Sequence, residues 1–236
     1  MKKQILLLIP ALLTGIVRAE NGQPADIPEN GRIRIDGRLE DWKNAEWTPL
    51  TRSLDGDPVH ISNAQWSIQW NDDPALFIAV QYDDSCIVLQ NSYVNSNAQD
   101  CVEIFVRGDT GSNPSDYSEN QSSAQHYIFG LSKNKITTWK KLAGTGSFPA
   151  HNPATAAVLL NGNTFICEIR IPLYDKFSIK SRRDCRLTEV FPGLEIGVDI
   201  AIVDVGATGY AGRQTENTMP DKSSNADHIA EHTLSE

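Results

Sequence analysis

The chain has 236 residues, with 21 Lys and Arg against 30 Asp and Glu, a net charge of −9. Its opening stretch reads as a removable leader that takes Lys2, Lys3 and Arg18 with it, leaving 18 basic against 30 acidic side chains, a net of −12. A field of that sign repels phosphate backbones and anionic lipid, which argues against nucleic acid and membrane surfaces as partners and leaves neutral sugars and divalent cations.

The leader comes first in chain order. Lys2 and Lys3 precede a mostly apolar run from Ile5 to Val17. That run is short for a bilayer span, which needs about 20 apolar residues, and Pro10 and Gly15 interrupt it. Val17-Arg18-Ala19 fits a signal-peptidase site, so residues 1–19 are expected to be cleaved and the protein to be secreted or periplasmic, beginning at Glu20. Residues 20–30 read as a loose lead-in without period. Residues 31–236 are read as one all-β domain, a length that also allows two small ones at most, and no later stretch is long and apolar enough to insert in a membrane.

From there the pattern has period two. Ile33 and Ile35 alternate with Arg32 and Arg34. Gly37 to Ala45, with Leu39 and Trp42 three apart, is expected to form a short helix. In Ala64-Gln65-Trp66-Ser67-Ile68-Gln69-Trp70 every even position is apolar, a half-buried strand with Trp66, Ile68 and Trp70 facing a core. Asn71-Asp72-Asp73-Pro74 turns the chain into a partner strand from Leu76 to Tyr82. Val102, Ile104 and Val106 then share one face and Cys101, Glu103 and Phe105 the other. Gln125 to Leu131 and Lys135 to Lys141 form a second hairpin, turned near Lys133-Asn134. Thr155 to Leu160 and Thr164 to Ile171 form a third around Asn161-Gly162-Asn163. Ile196 to Val203 is apolar enough for a central strand. Residues 207–232 show little pattern and read as a long polar loop before a weak last strand. Short strands between Gly, Pro and Asn turns predict an antiparallel β-sandwich or barrel with little helix.

Four cysteines, Cys86, Cys101, Cys167 and Cys185, in an exported chain read as two disulfides. Three pairings exist and spacing alone does not choose. Pairing nearest neighbours in sequence gives Cys86–Cys101 and Cys167–Cys185. The five histidines are scattered and no C-x-x-C occurs, which argues against zinc.

Several segments occur in a telling order. Ile35-Asp36-Gly37-Arg38-Leu39-Glu40-Asp41-Trp42 opens the domain. Trp66-Ser67-Ile68-Gln69-Trp70-Asn71-Asp72 leads to Leu76-Phe77-Ile78-Ala79-Val80 and Asp83-Asp84. Asp100-Cys101-Val102-Glu103-Ile104-Phe105-Val106 follows, and Glu168-Ile169-Arg170-Ile171-Pro172-Leu173 precedes Ile196-Gly197-Val198-Asp199-Ile200. Over residues 31 to 204 this order resembles the family 9 carbohydrate-binding modules. The resemblance implies a jelly-roll-like β-sandwich with a sugar site on a concave sheet face. It also implies structural calcium, a role beside secreted glycoside hydrolases, and two Trp rings clamping a sugar. The clamp positions fall near Asn97 and Asn225, and no Trp follows Trp139, so this chain departs from the family there.

Candidate site residues follow from both readings. Asp100 and Glu103 are three apart on a strand, hence on opposite faces, which argues against an acid–base pair for glycoside hydrolysis and against an enzyme. Glu103 lies off the core face, where the resemblance places a ligand-contacting Glu. The resemblance also sets the strand of Gln125 and Tyr127 beside it. Asn97 and Asn225 complete the candidate sugar-binding set. Tyr93, Tyr127, Trp139 and Tyr210 are candidate stacking rings. Asp72, Asp73, Asp83, Asp84, Asp109 and Asp116 are the loop acids for a structural calcium, without EF-hand spacing. The expected function is non-catalytic glycan binding. The alternative is a structural or protein-partner-binding sandwich that has lost its sugar clamp.

Overall fold

The computed structural model of the protein describes residues 25–27, 29, 33–71, 73–89, 98–108, 110–111, 117, 123–132, 135–141, 154–178 and 181–236. In chain order the strands are β1 (Ala25–Ile27), β2 (Thr48–Pro49), β3 (Arg52–Gly56), β4 (Ile61–Asn71) and β5 (Ala75–Asp84). Then come β6 (Cys101–Arg107), β7 (Ala124–Ser132), β8 (Lys135–Lys141), β9 (Thr155–Asn161) and β10 (Thr164–Pro172). The last are β11 (Tyr174–Lys176), β12 (Arg186–Leu187), β13 (Glu195–Gly206), β14 (Gly209–Thr215) and β15 (Glu231–Leu234).

They form two main sheets and a small β11–β12 ribbon. One sheet runs β2-β4-β5-β10-β9. The other runs β1-β15-β13-β6-β7-β8, with β14 added to the far half of β13 and β3 added to β14. All pairings within these two sheets are antiparallel except β1 with β15. The expected sandwich is therefore the observed one. Its core lies between the sheets. Trp66, Trp70, Leu76, Ile78 and Val80 from one side meet Val102, Ile104, Val106, Val198, Ile200 and Ile202 from the other. Burying each such aliphatic side chain contributes roughly 1.5–3 kcal/mol.

The alternation seen in the sequence sets these faces. In β4, Trp66 and Trp70 face the core as expected, with Ile68 packed against it. Ser67 and Gln69 are nonetheless buried, because residues 33–47 cross the other face of that sheet. There Ile33, Ile35, Leu39, Trp42, Ala45 and Trp47 pack with Ala75, Phe77 and Ala79. Glu168 of β10 pins that segment. Its carboxylate accepts the backbone N–H groups of Asp36 (3.0 Å), Gly37 (2.6 Å) and Arg38 (3.0 Å), and the Trp42 indole N–H (2.7 Å). Gly37 has φ +83°, the left-handed conformation that lets three successive amides converge on one carboxylate.

Three expectations need correction. Gly37 to Ala45 forms only a 3-10 turn over Glu40–Trp42. The lead-in carries strand β1, in parallel register with β15. Residues 207–232 are no simple loop: β14 occupies Gly209–Thr215 and bridges β13 to β3. Its glycines hide it from pattern reading, and packing requires them. A Cβ on Gly212 would lie 2.6 Å from the Asp55 carbonyl oxygen, and one on Gly56 2.2 Å from that of Ala211. The β3–β14 ribbon is therefore held by close backbone approach. The turn expected near Lys133-Asn134 lies outside the described residues.

Candidate functional site

The larger sheet has a second, outer face, and β6 shows how it arises. Val102, Ile104 and Val106 point between the sheets, whereas Cys101, Glu103 and Phe105 point outward, Cys101 and Phe105 into separate apolar clusters. Strand parity thus places Glu103 as expected. It does not leave Glu103 in solvent, for the side chain is only 3% exposed.

Arg213 of β14 covers it. The Arg213 Nη1 donates to Glu103 Oε2 at 3.3 Å, and Nη2 donates to Asp55 Oδ2 at 2.5 Å. The Nε–H is shared between the two Asp55 oxygens at 3.2 and 3.3 Å. Tyr210 donates its hydroxyl to Asp55 Oδ1. On the other side of Glu103, the His126 Nε2 stands 3.7 Å from Oε1, with its ring stacked on Phe105. Burial raises the Asp55 carboxyl, but the Arg213 and Tyr210 hydrogen bonds outweigh it and hold Asp55 below the usual carboxylate range. Burial and the bond to Asp55 push the Tyr210 phenol up, so it stays a donor. Burial lowers the Arg213 guanidinium, but its carboxylate partners outweigh that and leave it raised.

Next to this cluster, the face is filled by the chain itself. Lys222 is fully buried: its ammonium donates to Asp199 Oδ1 (2.7 Å), Thr215 Oγ1 (2.8 Å) and the Asn217 carbonyl (2.8 Å), 5.4 Å from the centre of the Phe105 ring. Tyr117 donates to the Lys222 carbonyl at 2.5 Å. Tyr117, Ala226 and Ile229 pack with Phe105 and Ala201 as a small second core.

The other expected site residues fall elsewhere. Tyr127 and Gln125 stand opposite Ile104 and Val106 in the β6–β7 register, so they share the face that looks between the sheets. Tyr127 is fully buried there, and the Gln125 amide donates to the Ser123 carbonyl at 2.8 Å. The residue opposite Glu103 is Ile128, and a one-residue step changes the face. Tyr127 and Gln125 therefore lie on the face opposite to Glu103. Asn225 caps the 3-10 turn Ala226–His228, its Oδ1 accepting from Asp227 N at 3.1 Å. Asn97 and Tyr93 lie outside the described residues, as does the side chain of Trp139. Missed by sequence reading are Arg213 and Asp55, which reach the site from β14 and β3.

None of the four cysteines is disulfide-bonded, so the expected disulfides Cys86–Cys101 and Cys167–Cys185 are not formed. Cys101 faces outward with Ile128 and Val203, whereas Cys167 sits between the sheets. Cys185 lies past the far end of β10, where its sulfur meets Ser178. Nearness in sequence does not translate into nearness of side chains.

Among the described residues the acids expected to hold calcium do not converge. Asp73 lies in the turn before β5 and Asp83 near its other end, separated by a strand stretch of roughly 26 Å at about 3.3 Å per residue. Asp73 pairs with Arg170, and Asp83 accepts from Asn63 and Thr164. Asp72, Asp109 and Asp116 lie outside the described residues. Among the described residues no group of three or more His, Cys, Asp or Glu is arranged to hold a metal.

A family model described as "Carbohydrate family 9 binding domain-like" matches residues 35–234. The chain belongs to that family. Two solved structures of a family 9 carbohydrate-binding module from Caldicellulosiruptor kristjanssonii share the fold of this family 9 domain. One is in complex with glucose, at 19% identity and TM-score 0.59, covering 90% of this chain and 95% of that one. The other is in complex with cellotriose, at 18% identity and TM-score 0.59, covering 90% and 94%. A putative carbohydrate-binding protein from Bacteroides uniformis matches at 12% identity and TM-score 0.51, covering 91% and 99%. A comparison with curated proteins found no match.

Proposed function

We propose that this family 9 domain binds neutral oligosaccharide without cleaving it, as part of an exported protein that acts beside polysaccharide-degrading enzymes. One observation carries the reading. Within a chain matched to the family across residues 35–234, Glu103 lies on the outer sheet face in a hydrogen-bonded polar cluster. Sugar sites need such fixed donors and acceptors. The glucose and cellotriose complexes of the structural relatives support a sugar as ligand.

The acids argue for binding rather than hydrolysis. Asp100 turns away from Glu103: its carboxylate accepts from Val88 N and Val205 N. Asp55 and Glu103 both direct their charge at one guanidinium. The lysines at positions 2 and 3, the apolar run and Ala19 support export with cleavage before Glu20.

A structural role is the second reading. It is favoured by Tyr117, Lys222 and Ala226, which fill part of the outer face, and by Asn at both expected clamp positions. Calorimetric titration with glucose, cellotriose and other neutral oligosaccharides separates the two. Sugar binding is expected at millimolar to high-micromolar Kd, about 4 to 6 kcal/mol. Absence of binding across the panel selects the structural role, and release of reducing sugar selects an enzyme.

A further inference from the structure

We propose that the sugar is held on the β3–β14 ribbon by Tyr210, Asp55 and Arg213, and that Glu103 is a positioning residue acting through Arg213. This rests on the carbohydrate-binding reading above and changes which atoms meet the ligand. Glu103 is closed off: Arg213 occupies one carboxylate oxygen and His126 stands near the other. A sugar hydroxyl reaching Glu103 would have to break the ion pair first. Asp55 is 40% exposed and already accepts from Arg213 and Tyr210, so an incoming hydroxyl shares its oxygens with those donors, while the partly exposed Arg213 keeps N–H groups for a ligand without breaking an ion pair.

Their geometry suits a pyranose with neighbouring hydroxyls. A guanidinium carries five N–H groups, and three are engaged by Asp55 and Glu103. One N–H on each terminal nitrogen remains, beside a carboxylate that stays ionised. A donor and an acceptor side by side on rigid strands can serve two adjacent hydroxyls. Tyr210 adds the apolar component. Among the described residues the exposed aromatic side chains are Phe191 and Tyr210, and Tyr210 is the one whose hydroxyl is fixed to a charged partner. A tethered ring loses little entropy on binding and offers its face to sugar C–H groups.

Charge selects the class of ligand. Asp55 and Glu103 against Arg213 leave one net negative charge, in a chain already at −9. Uronates and sulfated sugars are repelled, and neutral sugars are not.

The test titrates the full chain with glucose, cellotriose and a panel of neutral oligosaccharides, and repeats the best binder with Tyr210→Ala, Tyr210→Phe and Asp55→Asn. Melting curves establish that each variant is folded. Tyr210→Ala and Asp55→Asn are expected to weaken binding tenfold or more, and Tyr210→Phe, which keeps the ring, by less. Saturation-transfer NMR should show the sugar C–H protons of one face saturated most strongly, a signal lost in Tyr210→Ala. Wild-type binding that survives both Tyr210→Ala and Asp55→Asn overturns this assignment and leaves carbohydrate binding standing. No binding by the wild type to any sugar overturns both.

Discussion

Arg213 reaches across from β14 to Glu103 on β6 at 3.3 Å, so the acid that parity places on the outer face is neutralised by a residue two strands away. The pair is partly desolvated, with Glu103 nearly inaccessible and Arg213 18% exposed. Breaking one side of a buried pair leaves the other uncompensated.

Glu103→Gln is therefore expected to lower stability, by roughly 1–3 kcal/mol for loss of a charge-assisted hydrogen bond. An exposed strand Glu would give no such loss. Arg213 keeps Asp55 and is not stranded. Urea unfolding of wild type and variant decides this; equal midpoints with equal slopes would show that the pair contributes nothing. Sugar affinity should fall too, because Arg213 loses one of its two anchors.

Glu168 gives a larger effect. Four donors converge on its carboxylate and tie residues 36–42 to β10. Glu168→Gln keeps the shape but replaces one acceptor oxygen with a donor, facing N–H groups. A loss of about 3 kcal/mol or more is expected, since buried donors lose their partner. Hydrogen exchange at Asp36, Gly37 and Arg38 should accelerate in the variant; unchanged protection would count against the anchor.

The sequence carries some of this plainly and the rest not at all. The β4 strand is legible because Trp66 and Trp70 alternate with polar residues above one core. β13 is legible because it is buried along nearly its whole length, which makes an almost unbroken apolar run. Parity alone places Glu103 on the right face. It fails for Tyr127, since adjacency of strands says nothing about register, and register decides the face. Arg213 is invisible for a different reason. Its strand contains Gly209 and Gly212, and Gly212 is required by contact with β3, so the strand shows no alternation. Asp55 shares that fate in the short β3.

The cysteines yield a chemical test. Burial pushes the Cys101 and Cys167 thiols up, and both are nearly inaccessible, while Cys86 and Cys185 are half-buried. Reactivity follows thiolate fraction and access. With a thiol reagent at neutral pH, Cys86 and Cys185 are expected to react first and all four only in denaturant. Peptide mapping without reduction that recovered a Cys86–Cys101 or Cys167–Cys185 linkage would refute this assignment.

The last prediction concerns pH. Asp84 and Asp100 are buried where the end of β5 meets the start of β6, with Asp204 and His60 beside them. Asp100 accepts from Val88 N and Val205 N, and Asp84 Oδ1 accepts from Cys86 N. Asp84 Oδ2 is buried with no donor among the described residues, and a proton held between the two carboxyls supplies one. Burial pushes Asp100 up to about 8 and raises Asp84 as well. In the unfolded chain an Asp titrates near 3.9. Between those values the folded protein holds a proton that the unfolded chain releases. This contribution to stability is full below the unfolded pKa and is lost as pH rises toward 8. His232 acts with the opposite sign at lower pH: burial pushes it down to about 4, so its contribution is lost as pH falls from about 6.5. Between pH 6.5 and 8 the acid pair is expected to make stability fall with rising pH, at up to about 1.4 kcal/mol per unit for one proton. Asp84→Asn places an N–H where the shared proton sits and keeps the acceptor for Cys86 N, so it should flatten that slope. Urea unfolding of both proteins at about pH 6.5, 7.2 and 8 reads the difference directly, and a wild-type slope retained in the variant would show that the proton is not held by this pair.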